Sequence, residues 1–189
     1  MTTPREPHAS AEPVPRLDAG EIHRAHADFV WKTLFRLGVR EADMEDTLQE
    51  VFLVVHRRLD SYDGIAKLTT WLFGICMKVT SDYRRRAHRR REQLVQDGMD
   101  TMPATDDATP EDAAAAQQAR ATLARILDGM ELEKRAVFVM FELDRMACSD
   151  IAGVMGIPVG TVYSRLHAAR KAFEEAVARH ALASDRGRR

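Results

Sequence analysis

A chain of 189 residues, 45% hydrophobic and 30% charged, can build one ordinary domain or two small ones, which excludes fibrous and wholly disordered classes. No apolar run approaches the roughly 18 residues of a membrane span, and the first twenty residues lack the apolar stretch and cleavage pattern of a secretory signal. The formal net charge of −1 conceals blocks: Lys+Arg against Asp+Glu run 2 to 3 over 1–20, 14 to 11 over 21–96, 0 to 6 over 97–118 and 12 to 9 over 119–189. Two mildly basic blocks thus flank a purely acidic stretch, and a near-neutral whole does not exclude a polyanion partner.

Aromatics are scarce and Ala, Leu, Arg, Glu and Met are plentiful, so an all-α chain is expected, with no strand. Residues 1–20, with Pro4, Pro7, Pro13 and Pro15, read as a disordered tail. The first folded block spans 21–96. Ile22, Ala25, Phe29, Val30, Leu34 and Leu37 make one amphipathic stripe. Met44, Leu48, Val51, Phe52, Val55 and Leu59 make a clearer one, with Asp43 at the N-cap position and Asp46 three residues on. Asp60-Ser61-Tyr62-Asp63-Gly64 breaks that helix. A third helix follows from about Lys67, burying Leu68, Leu72, Ile75 and Val79 beside Trp71, and runs on into an arginine cluster.

Residues 97–118 carry six acids, no bases and two prolines, Pro103 and Pro110, and read as a flexible linker. About 20 extended residues reach roughly 70 Å. The second block, 119–182, contains helices over about 111–128, which enters it from the linker, and 131–143. A short helix through Ile151 stops at Gly156. Pro158 then opens a last helix to about His180. Residues 183–189 read as a second disordered tail.

The strongest local pattern is Cys148 to Arg170. Ala152 permits close helix approach, Gly156 makes a tight turn, and Ile151, Met155, Ile157, Val162 and Leu166 supply a small core, which is the pattern of a helix-turn-helix. Thr161, Tyr163, Ser164, Arg165, His167 and Arg170 are its outward candidates, suited to a major groove. The second pattern is six arginines, Arg84, Arg85, Arg86, Arg89, Arg90 and Arg91, at a helix C-terminus, placed to meet the dipole or phosphates. The third is acidic: Asp43, Glu45, Asp46 and Glu50 with Gln49. These carboxylates sit on about two turns of one helix, which suits a docking face better than a metal site. No nucleophile–base constellation is present in the sequence, and nothing calls for a cofactor. Cys76 and Cys148 match no metal or disulfide spacing and read as reduced core thiols in a cytoplasmic protein.

In combination, these motifs resemble those of bacterial sigma factors of the extracytoplasmic-function type, over about residues 21–180. Asp43-Met44-Glu45-Asp46-Thr47-Leu48-Gln49-Glu50-Val51-Phe52 is similar to that family's D-x-E-D-x-x-Q-E-x-F helix. Trp71-Leu72-Phe73-Gly74-Ile75 with Asp82-Tyr83-Arg84-Arg85 resembles its promoter-melting helix, and Gly160-Thr161-Val162-Tyr163-Ser164-Arg165-Leu166 its upstream-element reader.

The resemblance implies sigma domain 2 at 21–96 and sigma domain 4 at 119–182. It implies a non-enzymatic initiation factor, nucleoid-associated when bound to polymerase. Asp43, Asp46, Leu48, Gln49 and Phe52 would dock on the clamp helices of core RNA polymerase, and the second domain would touch its flap. Ser61, Tyr62, Asp63, Lys67, Trp71, Lys78, Asp82, Arg84 and Arg85 would engage the −10 element. Thr161, Ser164, Arg165, His167 and Arg170 would read the −35 element of promoter DNA. An anti-sigma protein is a common partner in the family. The competing reading is a freestanding helix-turn-helix regulator, which leaves the first block without a role. Lys78 departs from the Asn common at its place, adding a charge and losing an amide. In the resemblance the acidic linker imitates a phosphate backbone inside the enzyme. Neutralising its six acids is therefore expected to impair initiation more than core binding; equal loss of both in transcription and binding assays would refute this.

Overall fold

The computed structural model describes residues 18–96 and 111–186, with side chains over 18–89 and 118–183. The tail up to residue 17, residues 97–110 and residues 187–189 lie outside the described residues, as do the side chains of Arg90 and Arg91. Within the described residues there are seven α-helices and no strand.

Helix α1 (Ala19–Leu37) starts where Asp18 Oδ2 accepts the Glu21 N–H at 3.2 Å, so two residues of the expected tail are already helical. It stops at Gly38, whose φ of 96° is left-handed; the Gly38 N–H donates to Leu34 O and Phe35 O. Helix α2 (Met44–Arg58) buries Met44, Thr47, Val51 and Val55, with Leu48, Phe52 and Leu59 half-buried around them. Asp43 stands at its N-cap position, but its side chain caps nothing. The carboxylate instead accepts from Tyr83 Oη at 2.7 Å and Arg40 Nε at 2.9 Å, a charge-assisted alternative to the expected cap. Helix α3 (Leu68–Gln96) buries Leu72, Phe73, Ile75, Cys76 and Val79 and continues through the arginine cluster. Helices α1, α2 and α3 pack pairwise into one small core.

Helix α4 (Glu111–Asp128) begins inside the segment expected as linker, so residues 111–118 are helical. Its Ala-rich start is a strong helix former that outweighs the acidic composition. The stretch expected as one helix over 131–143 divides into α5 (Leu132–Phe138) and one π-helical turn (Val139–Leu143). The turn ends at Asp144, whose N–H donates to Val139 O, and Arg145 follows at φ 54°. Helix α6 (Cys148–Met155) ends on Gly156 at φ 62°, and α7 (Val159–Arg186) begins after Pro158 and runs six residues past the expected end. Ile151, Val162 and Leu166 are buried between them; Met155 and Ile157 are half-buried. Helices α4, α5 and α6 all pack on α7.

The two blocks also touch. α3 meets α6, and α1 meets α4 and α5. Among the described residues no helix is long and apolar enough to cross a membrane. Leu34, fully buried on α1, tests the first core: Leu34→Ala is expected to cost about 2–5 kcal/mol, read from urea unfolding followed by far-UV circular dichroism.

Candidate nucleic-acid and polymerase-docking faces

Three faces gather the residues singled out in the sequence. The first is the outer side of α2. Asp46 and Gln49 are exposed there. Leu48 and Phe52 are half-buried, and the Phe52 ring lies 4.4 Å from that of His23 on α1. Asp43 is drawn away into the Tyr83–Arg40 network. Burial, with the bond to Asp43, pushes the Tyr83 phenol up, and the bonds to Tyr83 and Asp43 push the Arg40 guanidinium up. Leu53, four residues beyond Gln49, is 55% exposed and was not singled out. An apolar residue at helical spacing within the polar face was the available signal.

The second face is the turn before α3 and the helix it leads into. Ser61 Oγ donates to Arg58 O at 2.6 Å and Tyr62 Oη to Ala66 O at 2.5 Å. Asp63 Oδ1 accepts the Ile65 N–H at 3.0 Å, and Gly64 turns the chain at φ 72°. The Tyr62 ring leans on Trp71 at 5.2 Å. The loop is therefore held open by its own bonds, and Ile65 stands 88% exposed at its tip, another residue the sequence did not flag. Lys67 and Lys78 are exposed on the same element.

The arginine cluster is less free than its count suggests. Arg86 makes a paired contact with Glu50 at 2.7 and 3.1 Å, which raises its pKa, and Arg85 pairs with Asp82. Arg84 is half-buried, its Nη1 without a partner.

The third face is α7. Tyr163, Ser164, His167 and Lys171 are exposed at helical spacing and form one outward stripe, with Thr161 half-buried at its edge. Ser164 Oγ donates to Thr161 O. Arg165 instead turns to Glu133 on α5 at 2.5 Å, and Arg170 to Glu142 at 2.7 Å, over the Phe141 ring. These two arginines, expected to point outward, are engaged within the second block. Tyr163 and Lys171 fill the stripe in their place. Among the described residues no three His, Cys, Asp or Glu side chains converge as metal ligands.

The first and second blocks enclose a cleft of about 650 Å³. Arg58, Lys67, Trp71 and Gly74 line one wall, and Ser149, Asp150, Gly153 and Val154 of α6 the other.

Two helical blocks, the second a helix-turn-helix, define a bipartite helical protein of the kind that carries nucleic-acid-facing helices on both halves. Residues 22–91 match the Sigma-70 region 2 family and residues 120–173 match Sigma-70, region 4. The chain belongs to the sigma-70 family, in its extracytoplasmic-function (ECF) branch. It is 31% identical over 160 residues to the ECF RNA polymerase sigma factor SigE of Mycolicibacterium smegmatis, covering 85% of this chain. It spans 62% of the length of that relative. It is 28% identical over 145 residues to the ECF RNA polymerase sigma-E factor of Escherichia coli K12, covering 74% of this chain and 76% of the relative.

Two solved structures share the fold. CnrH, in complex with the cytosolic domain of CnrY, gives a TM-score of 0.61 at 22% identity, covering 85% of this chain and 87% of that one. The sigma factor RpoE of Bartonella quintana, in complex with the anti-sigma factor NepR, gives 0.64 at 19% identity, covering 84% and 96%.

Proposed function

We propose that this chain is a dissociable initiation factor that binds core RNA polymerase and directs it to a subset of promoters. The observation that carries the reading is the order of the two sigma regions on one chain, each presenting a solvent-facing helix. The outer side of α2, with Asp46, Leu48, Gln49, Phe52 and Leu53, docks on the polymerase. The Ser61–Lys67 turn with Trp71, Lys78 and Asp82 takes the −10 element. The Tyr62–Trp71 pair is an aromatic surface on which an unstacked base can rest, and such stacking is worth about 1–3 kcal/mol per base. Arg84, Arg85 and Arg89 supply cations upstream of it. The α7 stripe, with Thr161, Ser164 and His167, enters the −35 major groove. An anti-sigma protein restrains the factor, as NepR and CnrY are found with their own partners.

The experiment is a binding competition. Purified chain and core polymerase are mixed against the primary sigma factor and resolved by size exclusion. A stoichiometric, competitive complex is expected, weakened at least about tenfold by combined Gln49→Ala and Leu53→Ala changes at the docking face. Absence of that complex, beside binding of the free chain to a palindromic site, would make it a freestanding regulator.

Arg165 and Arg170 enter the same reading as exchangeable cations. Partly exposed ion pairs contribute little, so a phosphate can displace Glu133 and Glu142 from them. Arg165→Ala is expected to weaken holoenzyme binding to promoter DNA by about 1–3 kcal/mol. Glu133→Gln, which releases the arginine, is expected to tighten it. Fluorescence anisotropy on a labelled promoter measures both, and a loss in the two variants alike would assign the pair to packing alone.

A further inference from the structure

Arg135 lies near the end of a seven-residue helix and is only 1% exposed. A guanidinium in that position needs every donor answered. Asp128 of its own block takes Nη1 at 2.7 Å. The other partners belong to the first block. Nε donates to Arg36 O and Nη2 to Phe35 O at 3.5 Å, the carbonyls at the C-terminal end of α1. Those carbonyls have no helical N–H of their own and sit at the negative end of the dipole. Gly38 makes the approach possible, because a Cβ there would lie 2.8 Å from Arg135 Nη1.

A second contact lies beside the first. The π-helical turn and the left-handed Arg145 bring Asp144 back onto Arg36 of α1, at 2.7 Å. With both contacts made, α6 lies along α3, Val154 facing Gly74, and covers the cleft that Lys67 and Trp71 line. The seam is also incompletely satisfied. Asp144 Oδ2 and Arg84 Nη1 are buried without partners, and the Arg84 charge opposes that of Arg135. Burial pushes the Asp144 carboxyl up against the opposing pull of Arg36. Opening would return these groups to water.

We propose that the free chain holds itself closed, Arg135 and Asp144 clasping the end of α1 so that α6 covers the −10 face, and that polymerase takes only the open form. The proposal rests on the initiation-factor reading for its consequence, but not for its geometry. Fourteen residues join α3 to α4, enough for the blocks to part without breaking either core.

The test uses the full chain with Arg36→Glu, Asp144→Arg and the two together. Small-angle scattering reads the shape, and competition binding reads affinity for core polymerase. The wild type is expected to be compact. Each single reversal expands it and tightens polymerase binding by up to about tenfold, because the closed fraction no longer subtracts from the competent one. The double reversal restores both. Arg36→Gln serves where a reversal variant loses helicity by circular dichroism. A wild type already as expanded as the variants would overturn the clasp. So would expansion with unchanged affinity, or a double variant that stays open. Compaction that responds as described in a chain that never binds polymerase would sink the initiation-factor reading and leave the clasp in place.

Discussion

A charged side chain removed from water dictates its surroundings, and Arg135 dictates those of the whole seam between the two blocks. It needs an acid, so Asp128 at the end of α4 is turned toward it. It needs carbonyl acceptors, and a helix C-terminus is where unanswered carbonyls occur. It needs room, so the residue closing α1 is glycine, which the left-handed turn requires in any case. Burying an unpaired guanidinium would cost several kcal/mol; the same group shared between blocks fixes their relation instead. Burial lowers its pKa, and the Asp128 bond and charge oppose that shift.

The surfaces left outside follow from how charge is spent inside. Glu50 holds Arg86, Asp82 holds Arg85, Glu133 holds Arg165 and Glu142 holds Arg170. Counting arginines in the sequence therefore overstates the positive field that an approaching polyanion meets. What remains exposed and uncovered by these pairs is Lys67, Lys78, Arg89 and Lys171, spread along α3 and α7 rather than clustered. Partly exposed pairs are weak, so the held arginines form a reserve that nucleic acid can recruit one at a time. Recruitment of that kind makes affinity depend on the acids as much as on the bases, and on salt.

Local periodicity made most of the fold legible. Met44, Val51 and Val55 repeat at helical spacing and all are buried; Gly156 and Pro158 punctuate the helix-turn-helix where the sequence places them. What escaped was non-local. Asp43 reads as a cap until Tyr83, forty residues on, offers a better partner. Lys134-Arg135 reads as a solvated pair at a helix end, because nothing in its neighbourhood shows that α1 will arrive there. The π-helical turn has no composition of its own, since an extra residue in a helix changes only which carbonyl each N–H meets. Arg165 and Arg170 were legible as belonging to the second helix of the motif, but their direction depends on Glu133 and Glu142, which lie on other elements. Leu53 and Ile65 were overlooked because single exposed apolar residues are ordinary; only their positions within otherwise polar faces distinguish them.

The seam need not be strong to matter. Fourteen residues reach about 50 Å at full extension, and a tether of that order keeps the blocks at an effective concentration in the millimolar range. A contact with an intrinsic affinity only modestly better than millimolar is then mostly formed. That is what a small seam with two unanswered polar atoms can supply. The same arithmetic makes it easy to displace. A competitor that binds one block at micromolar affinity gains about 8 kcal/mol at the one-molar standard state, well above what the seam must lose. Tight closure would demand complete satisfaction of Asp144 and Arg84, and would then block the exchange that a dissociable factor needs. Incomplete satisfaction at those two atoms is thus the feature that lets one chain be closed when alone and open when engaged.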